Sequence, residues 1–425
     1  MSQFTEVLEK ARVAGSQKKY VDAESEYYSI INAKFPEDDQ KIKAKFLQDQ
    51  ETAIIELGKL YQEQKSGEKL CQLLANSRSV LGVFAKSKTA KIVKTLVEDF
   101  DAIPGIVDLQ IKAIRESITW AIDNKLSFLR QQLQLRLSSK LYETGAYQEG
   151  LKIITDLLRE YKKLDDKSSL VEVQLVESQI YHALRNIPKS RAALTSARTS
   201  ANSIYCPTIL QAELDCQSGI LNAEDRDYKT SFSYFYESFE GFNAQGDTRA
   251  ITVLKYVLLS KIMLNLIDDV NVILNNKNVT KYQSRDIDAM KAIATAYSHR
   301  SLKEFEDALI SYADELKSDP IIKNHFNALY DNLLEQNLLK IIESYSVVEL
   351  SHISKIIGLN LQQVEGKLSQ MILDKVFYGV LDQGNGWLII YDEPRTDSSY
   401  EASLELFKNL SNVVDLLYEK AASLN

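Results

Sequence analysis

Apolar residues recur along this chain at helical spacings of three and four, interrupted by short polar or turn-rich runs. Within that texture one pattern returns: an aromatic or aliphatic residue, a small residue three later, and a bulky residue four beyond that. It reads Tyr20, Ala23, Tyr27; Tyr147, Gly150, Ile154; Ile187, Ser190, Leu194 with Ala197; Tyr228, Ser231, Phe235; and Phe305, Ala308, Tyr312. The starts at Tyr147, Ile187 and Tyr228 are 40 and 41 residues apart, and the gaps of 127 from Tyr20 and 77 to Phe305 are close to multiples of that period. Two helices approach closely only where one offers a small side chain to the other's bulky one. The pattern therefore predicts helical hairpins, with Gly145 suited to a turn and Gly219 to a close helix contact.

A single hairpin cannot bury its apolar face, so successive hairpins must stack. Several units in phase favour such a tetratricopeptide-like solenoid over an irregular bundle. Breaks are expected at Phe35–Asp39, Lys163–Ser169, Asn243–Asp247 and Asn275–Asn278.

From about Asn332 the texture changes. Val348-Glu349-Leu350 leads into a helix over Ser351–Ile357 that Gly358 ends, and a second helix follows over Gln362–Asp374 with Val364, Leu368, Met371 and Ile372 on one face. Phe377–Leu381 and Trp387–Tyr391 read as strands joined at Gln383-Gly384-Asn385-Gly386, whose glycines and asparagine tolerate positive φ. Two helices and a wing raise the question of DNA. The second helix carries Glu365, Lys367 and Asp374, with Lys375 just after it, and from Lys340 to the end 7 Lys and Arg stand against 12 Asp and Glu. That balance favours a protein partner. The outer strand of the hairpin would leave backbone groups free to pair with a neighbouring chain, which points to Leu381, Trp387 and Ile389 as interface residues. Trp387 reads equally well as an anchor or as wing core.

Ser398–Leu424 forms a last helix. Phe407, Leu410, Val414, Leu417, Ala421 and Leu424 make a seam of alternating threes and fours, which asks for a partner helix or for packing on the chain's own solenoid.

Composition supports helices and removes other classes. With 15 Gly and 6 Pro in 425 residues the chain is poor in tight-turn residues, and its length exceeds one compact core. A net charge of −8 does not suit a protein that coats nucleic acid. The N-terminal stretch has no apolar run of signal-peptide length, and Val253–Ile267 is interrupted by Lys255 and Lys261, so no membrane span is expected. Cys71, Cys206 and Cys216 are too scattered for a disulfide framework or a metal knuckle. His182, His299, His325 and His352 never form an HxH pair, and no GxxxxGK[ST] or GxGxxG loop occurs, so no metal, nucleotide or other cofactor is expected and no enzyme is read here.

Helical repeats running into a winged helix resemble the PCI family, which occurs in the proteasome lid, the signalosome and an initiation-factor complex. The stretches KKLDDKSSLVEVQLVESQIYHALRN, DYKTSFSYFYESFEGF and VLKYVLLSKIMLNLIDDV, and then VELSHISKIIGL with QQVEGKLSQMILDKVFYGVLDQGNGWL, resemble most closely a non-ATPase lid subunit of the proteasome regulatory particle. That likeness runs from about Gln48 to Tyr391. It implies an all-α, TPR-like right-handed solenoid over 1–225 and a PCI domain over 226–394, made of helical repeats to 331 and a winged helix from 332. A C-terminal bundle helix follows over 395–425. The implied role is a non-catalytic scaffold supporting ubiquitin-dependent degradation, in cytoplasm and nucleus. Its implied partners are other PCI lid subunits, a proteasome ATPase and the core particle α-ring. The alternative is a scaffold of another PCI assembly or a nucleic-acid-binding winged-helix adaptor.

Overall fold

The computed structural model describes residues 3–16, 19–31, 33, 40–82, 84–103, 105–282, 284–317, 319–392 and 398–422. It divides into two compact units, Met1–Val253 and Leu254–Asn425. The first holds α1 (Gln3–Ser16), α2 (Tyr20–Ile31), α3 (Gln40–Glu63), α4 (Gly67–Leu81), α5 (Lys86–Asp99) and α6 (Val107–Asp123). It continues with α7 (Ser127–Thr144), α8 (Tyr147–Leu164), α9 (Lys167–Ala183), α10 (Ile187–Asn202), α11 (Thr208–Glu224) and α12 (Tyr228–Gln245). The division falls inside α13 (Arg249–Met263). The second unit then has α14 (Ile267–Leu274), α15 (Arg285–His299), α16 (Leu302–Ser311), α17 (Ala313–Lys317) and α18 (Pro320–Ile342). It ends with β1 (Val347–Glu349), α19 (Leu350–Ile357), α20 (Leu361–Leu373), β2 (Tyr378–Asp382), β3 (Trp387–Tyr391) and α21 (Ser398–Ala422).

From α6 to α12 each helix packs on the next in sequence. The hairpin turns repeat atom for atom. Ala146, Asn186 and Asp227 donate their amides five residues back, to Leu141, Tyr181 and Asn222, at 2.9, 2.9 and 3.0 Å. The residue before each is left-handed: Gly145 (φ 83°), Arg185 (φ 60°) and Arg226 (φ 65°). This closes the orphan carbonyls of one helix, and the Asn186 and Asp227 side chains then cap the next by accepting from the amides of Lys189 and Thr230.

The small residues lie where the helices of a hairpin touch. Ser190 and Ser231 are fully buried and donate to the carbonyls of Ser178 and Gly219, each at 2.8 Å. At Gly150, one repeat earlier, a Cβ would stand 3.2 Å from Ile180 and 3.9 Å from the Ser138 carbonyl. At Gly219 a Cβ would meet the Phe235 ring at 2.6 Å, so that helix pair closes only on glycine.

At the start of the chain α1 and α2 are fastened to α3. Tyr61 donates to Glu24 at 2.7 Å and Tyr27 to Glu56 at 3.2 Å, while the buried Gln50 amide donates to the Ile30 carbonyl at 3.2 Å. Burial opposes the charge on Glu24, yet the bonds from Tyr61 and Lys69 hold its carboxyl below the usual range. Gln48 lies inside α3, so a truncation there would cut a continuous helix and uncover Ile54, Leu57 and Tyr61. The break expected at Phe35–Asp39 lies outside the described residues. Those at Lys163–Ser169 and Asn243–Asp247 span the junctions of α8 with α9 and of α12 with α13, and Asn275–Asn278 falls between α14 and α15.

In the second unit Tyr256 donates to Asp319 at 2.7 Å, both buried, and Lys255 pairs with Asp286 at 3.3 Å. A separate core gathers Leu334, Leu338 and Ile342 of α18, Leu350, Ile353 and Ile357 of α19, Val364, Leu368 and Met371 of α20, and Leu388 of β3.

Candidate functional site

The wing is a three-stranded sheet in the order β1-β3-β2, antiparallel throughout. Val348-Glu349-Leu350 is read from sequence as a lead into the first helix; in the structure Val347-Val348-Glu349 forms a strand that pairs with Ile389, Leu388 and Trp387. This corrects the reading of the wing edge. Trp387 and Ile389 belong to the middle strand, which has a neighbour on each side, and only Leu381 stands on an outer strand.

Ile390 donates to Ser346 and Leu350 to Gly386, each at 2.9 Å, which fixes the alternation of the ladder. Ile389 therefore exchanges its backbone bonds with Val380 of β2, while the backbone groups of Gly379 and Leu381 point away from β3. The Leu381 side chain packs toward the module core beside Leu388. What Leu381 offers a neighbour is its main chain.

The two faces of the sheet differ. Val348, Leu388 and Leu381 line the inner face, on α19 and α20. The outer face has three rows across the strands: Glu349, Trp387, Asp382; Val347, Ile389, Val380; and Tyr391 with Tyr378. Sequence reasoning missed Val347, Val380 and Tyr391. The signal was the period-two alternation through Val347-Val348-Glu349, concealed because its pairing partner lies some 40 residues away in sequence.

The second helix of the winged module, α20, is a poor phosphate reader. Lys367 is turned inward to Glu335 of α18 at 2.8 Å and is mostly buried, which leaves Glu365 on the helix and the opposed pair Asp374 and Lys375 just after it, with no surplus of positive charge. Among the histidines, His182 faces Glu224 at 3.4 Å, His299 faces Glu304 at 2.8 Å, and His352 meets the Tyr345 ring edge-on. Among the described residues no group of three His, Cys, Asp or Glu side chains could hold a metal ion, and no helix is long and apolar enough to cross a membrane.

In α21 every residue from Ser399 to Ala422 is exposed. Phe407, Leu410, Val414, Leu417 and Ala421 form the expected seam in open solvent, with Leu410 57% and Leu417 62% accessible; Leu424 lies outside the described residues. Leu406 and Val413 flank the seam on one side and Leu404 and Tyr418 on the other, all exposed, so the apolar face is wider than the sequence reading drew it. A stripe of two positions per heptad fits one partner helix, whereas apolar residues at four positions need neighbours on two sides.

Three family models match. The "26S proteasome regulatory subunit RPN6 N-terminal domain" covers residues 4–144, the "PCI domain" 304–392, and the "26S proteasome subunit RPN6 C-terminal helix domain" 396–422. The chain is 53% identical to "26S proteasome regulatory subunit RPN6" of Saccharomyces cerevisiae, over 98% of each chain. It is 51% identical to "Probable 26S proteasome regulatory subunit rpn6" of Schizosaccharomyces pombe over 93% of each. It is also 50% identical to "26S proteasome non-ATPase regulatory subunit 11 homolog" of Arabidopsis thaliana, over 88% of this chain and 89% of that one. The likeness thus takes in both ends of the chain as well as its middle. The chain belongs to the RPN6 family of 26S proteasome regulatory subunits.

Proposed function

We propose that this chain is a non-catalytic scaffold of the proteasome lid, joining other PCI subunits to the ATPase ring and the core particle α-ring in ubiquitin-dependent degradation, in cytoplasm and nucleus. The observation that carries this reading is α21: twenty-five residues of helix with a broad apolar face and all its described side chains in solvent. At about 25 cal/mol per Å² of apolar surface, a helix of this kind gains by burial only when another chain supplies the other half. A bundle of C-terminal helices meets that need. The backbone edge at Gly379 and Leu381 supports a second, lateral contact with a neighbouring winged helix through strand addition, and the exposed Trp387 and half-buried Ile389 side chains add a face beside it. An interaction role also agrees with the inward Lys367, which speaks against the nucleic-acid alternative.

Mass spectrometry of native complexes purified through the intact chain tests the assignment. Proteasome ATPases and core α-subunits are the expected companions, and signalosome or initiation-factor subunits in their place would overturn it. The pure chain is further expected to show no zinc-dependent cleavage of ubiquitin chains and no ATP hydrolysis.

A further inference from the structure

The outer face of the wing sheet is a different surface from the strand edge and from α21. Its middle row is aliphatic, with Val347 and Val380 each 50% accessible on either side of Ile389. At one end of it stands Trp387, 45% accessible, with Glu349 on the strand to one side and Asp382 on the strand to the other. Adjacent strands lie about 4.8 Å apart, so the indole is bracketed by two carboxylates on neighbouring strands. Asp382 is held in place: it accepts from the amides of Gly384 and Asn385 at 3.0 and 3.2 Å and from the Asn385 side chain at 2.8 Å. Glu349 accepts from Ser351 at 3.1 Å. None of the described residues forms an ion pair with either carboxylate.

An electron-rich ring between two anions is a receptor for a guanidinium, which stacks on the indole and pairs with the carboxylates at its edges. Three strands give a strip about 10 Å wide, the diameter of one helix, and three rows extend about 13 Å, which about nine residues of helix would cover. We propose that this face receives an amphipathic helix of another protein, with apolar residues at i and i+4 over the tyrosine and valine rows and an arginine at i+8 over Trp387. The proposal rests on the scaffold reading, which supplies the assembly, and names a separate surface and partner chemistry.

Charge decides against the nearer candidates. The chain's own α21 follows β3 after only the short connection 392–397, but it carries Lys408 and Lys420 against Glu401, Glu405, Asp415 and Glu419, and the acidic row would repel it. A second copy docked face to face would oppose acid with acid. Nucleic acid would be repelled for the same reason.

The test places a photo-crosslinking phenylalanine analogue at Val380 of the full chain, expressed in cells and isolated in its native assembly. Hydroxyl-radical oxidation of Trp387 is compared between the free chain and the assembly. The proposal expects a cross-link to a segment of another subunit bearing arginine and apolar residues at those spacings, and slower oxidation of Trp387 in the assembly. Glu349→Arg should lower the cross-link yield by about fivefold while leaving amide protection at Leu388 unchanged. A cross-link within 398–425, to a second copy, or to a segment lacking arginine overturns it, as does equal oxidation of Trp387 in both states. A chain found in no assembly at all removes the scaffold reading itself, and is told apart by the missing companions.

Discussion

Ser231 donates its hydroxyl to the carbonyl of Gly219 at 2.8 Å, across the hairpin of α11 and α12, and Ser190 makes the same bond to Ser178 one repeat earlier. The donor lies twelve residues after the acceptor in both, and the two bonds are 41 residues apart in sequence. These bonds join the helices of each pair through small residues buried where the two helices meet.

Gly219→Ala tests that spacing. The added methyl would stand 2.6 Å from the buried Phe235 ring, so ring or helix must shift. Overpacking of this kind costs about 1–3 kcal/mol, read as a lower urea midpoint. Adding Phe235→Leu should restore part of the loss in Gly219→Ala, although by itself it destabilises. Independent, additive losses in the double variant would contradict the contact.

A second prediction concerns pH. Asp99 is buried against Gly58, its Oδ2 has no hydrogen-bond partner, and burial pushes its carboxyl above the usual aspartate range, with Lys59 opposing. A raised folded-state pKa favours the protonated form, so the associated stability is fully present below the unfolded value near 3.8 and is lost as pH rises through the folded value. At neutral pH the charge is a burden. Asp99→Asn should then raise the melting temperature by about 2–4 °C per kcal/mol relieved. That gain should shrink toward zero as pH falls into the carboxylate range, and a gain that grew on acidification would refute the assignment.

Much of this fold was legible in the sequence because its signals are local. The triplets around Gly150, Ser190 and Ser231, the turn at Gly145 and the close contact at Gly219 stand where periodicity put them. The left-handed turns at Arg185 and Arg226 were not legible, since positive φ at arginine has no compositional mark. Nor was β1, three residues long and paired with a strand far along the chain. Missing it made an edge strand of what is the middle one, and so misplaced Trp387 and Ile389. The seam of α21 was readable from spacing, whereas its full width needed the exposures of Leu406, Val413 and Tyr418.

The sheet order gives a third prediction. Leu381→Pro removes an amide that points outward and leaves the ladder to β3 intact, so the free chain should fold, with a loss of about 1–2 kcal/mol from the altered side chain, while lateral assembly weakens. Ile389→Pro removes a donor within the sheet and should unfold the winged module, seen as lost amide protection across Leu388 and Val348. Assembly unaffected by Leu381→Pro would rule out edge pairing.

The central claim is that this chain works by being built into a larger assembly through α21, and one measurement addresses it most directly. Leu410→Asp and Leu417→Asp are introduced together into the full chain. Melting of the free protein and incorporation into native proteasomes are followed side by side, the latter by quantitative mass spectrometry. Both leucines are already in solvent in the isolated chain, so its melting should not change. Incorporation should fall by about tenfold or more, because a carboxylate carried into an apolar helix bundle has no partner there. Normal incorporation of the double variant, or a loss of incorporation matched by unfolding of the free chain, would contradict the account.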